Sequence, residues 1–499
     1  MKLPGSIYNW TSLIGAVIAI VSLFMIGFLF IISVVFDQGS SYLGLFNYII
    51  LPVFLVIGLI IIPIGMVRKH KKMQKSDQAQ QLRWPLIDFN NHRNRNAFVV
   101  FMTGSVVFLL LSAIGSYEAF HYTESVDFCG KLCHNVMKPE YVAYQNSPHA
   151  RVTCVECHVG SGADWYVKSK LSGLYQVYAV TTGNYPKPIP STITQLRPAR
   201  ETCEKCHWPE KFYAHQLIIK KHYLADEENT EWDINMKIKT GPSLSALGLI
   251  EGIHWHINPE IKVEYIPSSP TKDTIPWVRY TNTRTGEVKV YTDSETPLDE
   301  EFINNSEIFT MDCIDCHNRP AHDYKDPVDF IDNALTSGRI SKKLPDIKML
   351  SMEILKQDFP TTDSALSYIE QEILTYYEFM YPEILDTNGI FIDSAIAVIQ
   401  EEFQKNIFPE MKVKWSVYPN NIGHIESLGC SRCHTNKHTD SNSNVISRDC
   451  NLCHSIIAQG NPGNMEITST YDSLEFKHPI NINQKWKTMF CADCHQELY

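Results

Sequence analysis

No cysteine in this chain of 499 residues stands alone. Its 14 cysteines fall into seven close pairs, so every thiol has to be explained by one rule. No internal repeat of about 20–50 residues runs through the chain, which argues against a solenoid. No small-residue cleavage pattern follows the first apolar run, and that run is too long for a signal-peptide core, so it reads as a retained anchor. Basic charge is scarce after residue 117, where 35 Lys and Arg face 52 Asp and Glu, a net of −17. The first 117 residues carry 9 against 3, a net of +6. The acidic part argues against nucleic-acid binding and suits either plain solubility or a partner with a basic patch.

Six pairs read C-x-x-C-H: Cys154/Cys157/His158, Cys203/Cys206/His207, Cys313/Cys316/His317, Cys430/Cys433/His434, Cys450/Cys453/His454 and Cys491/Cys494/His495. The remaining pair, Cys129 and Cys133, reads CGKLCH and is one residue longer, again with His134 behind it. Two thiols a short turn apart can add to the two vinyl groups of one haem, and the next side chain is then an imidazole aimed at the iron. Zinc sites use C-x-x-C but have no reason to place His after every second Cys. With 19 histidines in 499 residues, seven such placements are not coincidence. The pattern predicts seven covalent haem c groups, each with a proximal His.

Three uncharged apolar stretches, 11–36, 42–67 and 97–117, are each long enough to cross a bilayer as a helix. Pro52 and Pro63 lie in the second, where a kink is expected. The loop after it carries Arg68, Lys69, Lys71, Lys72, Lys75, Arg83, Arg93 and Arg95, whereas Asp37–Ser41 carries no basic residue. The positive-inside rule then places the amino terminus in the cytoplasm and everything after 117 in the periplasm, where haem attachment takes place. The expected fold is three N-terminal transmembrane helices plus a periplasmic multihaem domain, mainly α with a small β insertion and with little regular secondary structure near the haems.

The organisation reads as a membrane anchor over 1–117, an N-terminal haem lobe over 118–230 and a middle region over 231–340. A helical haem-free segment over 341–420 and a C-terminal haem lobe over 421–499 follow. IKVEYI and WVRYTNTRTGEVKVYTD read as strands, with Thr285-Gly286 as a hairpin turn. ALSYIEQEILTYYEFMY, within 340–406, reads as an amphipathic helix.

Second axial ligands are drawn from the histidines outside the motifs. His70 and His92 fall in the cytoplasmic loop and are excluded. Ten remain: His121, His149, His215, His222, His254, His256, His322, His424, His438 and His478. Five of them, His149, His322, His424, His438 and His478, lie shortly before or after a motif and are favoured. Ligation by two histidines holds a haem potential low, and a Met ligand raises it. Met137 lies three residues beyond His134, so either His134 or Met137 is proximal at the first haem.

The run FCGKLCHNVMKPEYVAYQNSPHARVTCVECHVGSGADWYVKSKLSGLYQVYAV, followed by LRPARETCEKCHWPEKF, resembles the NapC/NirT family of membrane-bound multihaem cytochromes. The resemblance covers residues 97–499 and is closest to the seven-haem, three-span inner-membrane branch known from metal-respiring bacteria. It implies that electrons are taken from quinol, menaquinol included, in the cytoplasmic membrane and passed to periplasmic cytochromes or reductases. It also implies a quinol site beside haem 1, built from a Lys and an acidic residue after the second motif. Lys168 and Lys170 fall in the matching stretch, and Tyr175 and Gln176 stand where the acid is expected, so Lys168, Lys170 and Gln176 are the candidate quinol residues. The family's first motif is shorter by one residue than CGKLCH, which leaves the ligation of haem 1 open. Independently of the resemblance, haem 1 begins shortly after the third stretch and must sit near the headgroups. A quinol oxidised there also loses protons and needs a nearby base. Snorkelling is the competing role for the two lysines, beside Trp165 and Tyr166.

Two other functions compete. A terminal reductase of a small oxyanion would need an iron open to substrate, yet there is no C-x-x-C-K motif and histidines are plentiful. A conduit running in reverse, reducing quinone, shares every sequence feature. The expected path runs in chain order from quinol through the first three haems and the fourth to the last three.

Overall fold

Long uncharged apolar runs can satisfy their backbone groups in a bilayer only by closing every hydrogen bond internally, and the chain begins with two such helices. The computed structural model describes residues 9–35, 51–74, 89–92, 95–96, 98–99, 102–103, 106, 110, 117, 121–131, 134–159, 163–190, 198–207, 215–241 and 252–496. The chain folds as two units, Met1–Cys133 with Thr153–Asn184, and His134–Val152 with Tyr185–Tyr499.

In the first unit, α1 (Trp10–Val35) packs against α2 (Leu51–Gln74). Among the described residues these two helices, and not three, are long and apolar enough to cross a membrane. The third predicted span, 97–117, lies outside the described residues except for scattered helical positions such as Met102 and Leu110. The second predicted span coincides with α2 from Leu51 onward, and residues 42–50 lie outside the described residues. The helix runs on through Arg68, Lys69, Lys71 and Lys72, with Pro63 inside it.

Small residues let α1 and α2 approach backbone to backbone. A Cβ on Gly58 would stand 2.7 Å from the Ala19 nitrogen, and one on Gly15 would stand 2.7 Å from the Gly58 oxygen. The Ser12 hydroxyl donates to the Ile62 carbonyl at 2.9 Å across the same seam. This is the small-residue packing by which helices associate in lipid, where no hydrophobic effect drives them together. Gly58→Leu is expected to pry the pair apart at a cost of about 1–3 kcal/mol, read as a lower thermal midpoint in detergent. Gly27→Leu, where the added side chain meets open space, should leave that midpoint in place.

The second unit contains α3 (His134–Gln145), whereas α4 (Ala163–Thr182) belongs to the first. It goes on with β1 (Gln216–Tyr223), β2 (Glu231–Ile238), β3 (Ile261–Ile266), β4 (Trp277–Asn282), β5 (Val288–Asp293) and β6 (Phe309–Thr310). The strands end with β7 (His438–Thr439), β8 (His454–Asn461) and β9 (Asn464–Ile467). Between β6 and β7 lie α5 (Pro327–Thr336), α6 (Ile347–Leu355), α7 (Thr362–Met380) and α8 (Pro382–Asn406).

Two antiparallel sheets form, in the orders β1-β2-β8-β9 and β6-β3-β4-β5-β7. The β4–β5 hairpin turns where the sequence placed it, with Gly286 at a left-handed φ of 75°. The β content nevertheless exceeds the small insertion expected. β2 pairs with β8 from the far end of the chain, and β8 starts on the motif residue His454, so regular structure reaches a haem motif. Local periodicity carries no trace of a pairing between strands so distant.

Among the described residues, the helical lobe holds the largest apolar core. Ala365, Ile369, Ile373 and Tyr377, four residues apart along α7, are all fully buried and meet Ile392, Ile399 and Phe403 of α8. That is the apolar stripe a core-facing helix requires. The side chains of Asp326 and Thr361 cap α5 and α7 by accepting from the Asp329 and Ser364 amides at 2.9 and 3.2 Å.

Candidate functional site

Each described motif winds into about one tight turn. The backbone amides of His207, His317, His434 and His495 donate to the carbonyls of Cys203, Cys313, Cys430 and Cys491 at 2.8–3.1 Å. That hydrogen bond closes the turn so that two sulfurs and an imidazole leave the backbone close together. Aspartates brace some turns. Asp312 accepts from the Cys313 amide at 2.7 Å, and Asp449 accepts from the Asn451 amide at 2.8 Å. Cys133 and the His134 side chain lie outside the described residues, and Met137 is half-buried on α3.

The sequence treats the motif cysteines as equivalent, and the structure does not. No disulfide joins those among the described residues, but their settings differ. Cys433 packs against the core of the second sheet, and burial pushes its thiol up to about 12. Cys157 is half-buried at the end of its one-turn helix, Cys154–His158. Cys206 and Cys494 are exposed, held by backbone amides that donate to the Cys203 and Cys491 carbonyls at 3.1 Å. The reading of Cys157, Cys206 and Cys494 as attachment thiols therefore rests on the motif and its turn, not on an enclosing pocket.

Histidines from elsewhere in the second unit stand opposite the motif histidines. The ring centres of His149 and His207 are 6.0 Å apart, and those of His254 and His317 are 6.5 Å apart. His256 and His434 stand at 5.9 Å, His424 and His454 at 6.3 Å, and His478 and His495 at 6.1 Å. An imidazole–metal bond of roughly 2 Å on each face of an iron leaves roughly 6 Å between ring centres. All five pairs meet that spacing.

The outer histidines are also oriented for it. Nδ1 of His149 is 2.9 Å from the Pro320 carbonyl, that of His254 is 3.1 Å from Thr240 and that of His256 is 2.8 Å from Ile253. Nδ1 of His478 lies 3.0 Å from the Ile480 carbonyl, and that of the motif residue His434 lies 2.7 Å from Ser447. A hydrogen bond from Nδ1 to a carbonyl fixes the tautomer and leaves the Nε2 lone pair for a metal. Burial lowers the imidazole pKa at His254, His256, His317, His424, His434 and His495, and takes His454 down to about 4. Burial thus favours the neutral form, the one that ligates a metal. The Nδ1 of His454 is buried without a hydrogen-bond partner. The residues present fit haem.

Of the outer histidines the sequence favoured, His149, His424 and His478 stand in these pairs. His438 does not. It is 1% exposed, with Nε2 at 2.7 Å from the Ile275 carbonyl and Nδ1 at 3.0 Å from the Thr435 hydroxyl. With both nitrogens engaged, it is a structural residue of β7, and His256 stands opposite the fifth motif instead. His322 is held through Nδ1, 3.1 Å from both the carbonyl and the carboxylate of Glu140, the same anchoring the paired histidines have. His254 and His256 were among the ten but far from any motif. Both sit on the single 3-10 turn Ile253–Ile257, and their signal in the sequence is the alternation I-H-W-H-I.

Within each unit the motifs adjoin in chain order. The Cys129 and Cys154 thiols of motifs 1 and 2 hydrogen-bond, which together with burial pushes Cys154 up. In the second unit Cys203 lies within electrostatic reach of Cys313, and Cys316 of Cys430. Cys430 lies within reach of Cys453, and Cys450 of Cys491. Motifs 3 to 7 thus form an unbroken row.

In the first unit, α4 exposes Leu171, Leu174, Tyr175 and Tyr178. Their spacing puts all four on one helix face. Lys168 and Lys170 stand in the first half of this helix, and their side chains lie outside the described residues. Gln176 is exposed and donates from Nε2 to the Ser172 hydroxyl at 3.3 Å.

A model of the NapC/NirT cytochrome c family, N-terminal region, matches residues 91–189. The chain is 42% identical over 494 residues to the cytochrome c-type protein ImcH of Geobacter sulfurreducens, covering 99% of this chain and 96% of that protein. The chain belongs to the NapC/NirT cytochrome c family. It is also 31% identical over 122 residues to the cytochrome c-type protein NrfH of Wolinella succinogenes, covering 23% of this chain and 68% of that one. No solved structure matches. Covalent haem c, electron transport and membrane anchoring come with the family. This chain has seven cysteine motifs and, among the described residues, two helices long and apolar enough to cross a membrane.

Proposed function

We propose that this cytochrome carries seven haem c groups, takes electrons from quinol at the surface of the inner membrane and passes them along motifs 1 to 7 to periplasmic redox proteins. The observation that carries this reading is the row of histidine pairs, five deep, whose motifs adjoin in chain order. Bound haem c would supply the one-electron iron couples. The fourteen motif cysteines, the exposed Cys206 and Cys494 and the half-buried Cys157 among them, would hold the groups by thioether bonds. His158, His207, His317, His434, His454 and His495 would ligate on one face, with His134 or Met137 doing so at the first motif. His149, His254, His256, His424 and His478 would ligate the opposite faces of motifs 3 to 7. Two imidazoles per iron leave no open coordination place at those motifs, which favours a conduit over a terminal reductase.

The apolar face of α4 suits a helix lying in the headgroup region, with its tyrosines at the polar boundary. Lys168 and Lys170 would then be placed to hold the quinol oxygen while its proton leaves. Gln176, tied to Ser172, is an orienting group rather than a base, because an amide takes up no proton at neutral pH. The basic loop that begins at Arg68 would lie in the cytoplasm and the haem motifs in the periplasm.

Stopped-flow reduction of the detergent-solubilised protein by a menaquinol analogue tests this, with pyridine haemochrome counting the haems. Fast reduction of a seven-haem protein is expected. It should be slowed at least about tenfold in Lys168→Met/Lys170→Met with the haem count unchanged. A protein that quinol leaves oxidised, while a periplasmic donor reduces it, would make the reverse conduit or a terminal reductase the better reading.

A further inference from the structure

The second spacer residue of motif 4 is Asp315, and that of motif 5 is Arg432. Far apart in sequence, they meet in one buried polar knot. The Arg432 guanidinium donates to three backbone carbonyls: Asp315 at 2.7 Å, Lys272 at 3.1 Å and Gly429 at 2.9 Å. Its planar fork of donors can hold three carbonyls at once, where an ammonium would act as a point charge.

Lys272 closes the knot from the other side. It adopts a left-handed φ of 58°, and its ammonium donates to the Tyr265 hydroxyl at 2.7 Å and lies 3.5 Å from Asp315 Oδ1. The same ammonium sits 3.9 Å from the centre of the Phe309 ring. Tyr265, fully buried, donates its hydroxyl to Asp315 Oδ1 at 2.5 Å, and Asp315 Oδ2 accepts from the Asp312 amide at 2.7 Å. Burial and the Asp315 charge push the Tyr265 phenol up, so it stays a donor. Lys272 alone meets the buried Asp315 carboxylate, whereas the Arg432 guanidinium is held by carbonyl oxygens.

The knot lies where motifs 4 and 5 adjoin, and the histidines facing those two motifs, His254 and His256, hang from one 3-10 turn. Trp255 between them stacks on Tyr280 with ring centres 5.5 Å apart. The fourth motif, isolated in the sequence, is thus fastened to the fifth twice over.

We propose that Arg432, Lys272 and Asp315 are positioning residues that lock haems 4 and 5 into one unit, and that the two cations raise the potentials of both while the carboxylate holds them down. The proposal rests on haem attachment at motifs 4 and 5. Reducing a ferric iron removes one positive charge, so a nearby cation favours the ferrous state and a nearby carboxylate opposes it. Salt screens such buried charges far less than surface ones. The row of low-potential, doubly histidine-ligated sites then has a station in its middle where an electron rests before it moves on.

The test is a spectroelectrochemical titration of the full-length holoprotein, with EPR spectra taken at set potentials. EPR tells motif 5 from motif 4, and motif 6, whose ring planes are 15° apart, is the second near-parallel site. The ring planes facing motif 4 are 13° apart and those facing motif 5 are 82° apart, and near-parallel and near-perpendicular imidazoles split the iron d orbitals differently. Arg432→Gln and Lys272→Met should each lower the ferrous-to-ferric ratio at these two haems about tenfold at a fixed potential, about 59 mV for a one-electron couple. Asp315→Asn, of the same shape, should raise the same two. Arg432→Lys, which keeps the charge and loses the fork, should stay within about threefold of the parent. Shifts of one sign in Asp315→Asn and Arg432→Gln, equal shifts in Arg432→Lys and Arg432→Gln, or no shifts at all would overturn the proposal. Pyridine haemochrome on each sample keeps the two readings apart. A parent protein short of haem at motifs 4 and 5 sinks the attachment reading, whereas full haem with unmoved potentials sinks only the knot. Where one variant loses haem, the opposite signs expected of the others still decide.

Discussion

His256→Met raises the potential of one haem by on the order of 0.1 V and leaves the others in place, because a thioether in place of the second imidazole favours ferrous iron. His256 stands 5.9 Å from His434 with ring planes 82° apart, so the near-perpendicular EPR signal of that site should disappear with it. His438→Met is the matched comparison. His438 lies closer in sequence to the fifth motif, but its two nitrogens serve the Ile275 carbonyl and the Thr435 hydroxyl. Its replacement should cost stability by leaving those buried groups unpaired, about 1–3 kcal/mol, and should move no potential by a comparable amount. A redox titration of the two variants side by side checks both. If His438→Met moved the fifth haem and His256→Met did not, the assignment of the second ligand would be reversed.

Lys348→Met should cost about 3–5 kcal/mol of stability in the helical lobe, the largest effect expected of a residue away from the haems. The Lys348 side chain is fully buried, with Nζ 2.5 Å from Asp332 Oδ1 and 3.3 Å from the Val328 carbonyl. Burial pulls the ammonium pKa down, and the Asp332 charge opposes that pull. Methionine fills nearly the same volume, so the loss comes from the carboxylate left behind without its counter-charge, not from a cavity. The Asp332→Leu/Lys348→Met double variant should therefore recover most of the loss, since a buried pair exchanged whole for apolar groups is close to neutral. Guanidinium denaturation followed by far-UV ellipticity measures both. A single variant within about 1 kcal/mol of the parent would mean that water or His222, whose Nδ1 lies 3.4 Å from Asp332 Oδ2, relieves the stranded carboxylate.

Haem attachment was legible because its chemistry is local. Two thiols and an imidazole within a few residues need only one turn of backbone to present them together, and the order C-x-x-C-H records that turn. The same holds for α1 and α2, whose uncharged length meets the requirement of a bilayer, and for α7, whose buried face repeats every four residues. The β4–β5 hairpin was legible through Gly286, which supplies the left-handed φ that other residues resist.

Nearness in sequence proved a poor guide to the face of a haem opposite its motif. His478 faces the motif nearest to it, but His149 and His424 each face the motif beyond their nearest one, and His438, nearest of all to the fifth motif, has both nitrogens engaged in β7. His256 reaches its place on a 3-10 turn between β2 and β3. The motif also says nothing of how enclosed each sulfur is, and Cys433 and Cys494 hold the same place in their motifs, one half-buried against the second sheet and the other exposed. The pairing of β2 with β8, the row formed by motifs 3 to 7 and the meeting of Asp315 with Arg432 share one property. Each joins parts of the chain that only folding brings together, and no periodicity or spacing marks them beforehand. The sequence by itself determined which cofactor chemistry the chain carries, how many attachment motifs it has and which segments suit lipid, because bond-forming geometry and helix length are set within a few residues. Tertiary structure alone decided which imidazole faces which motif, in what order the motifs adjoin and which charges lie between them, because an iron's second ligand and its local field are fixed through space.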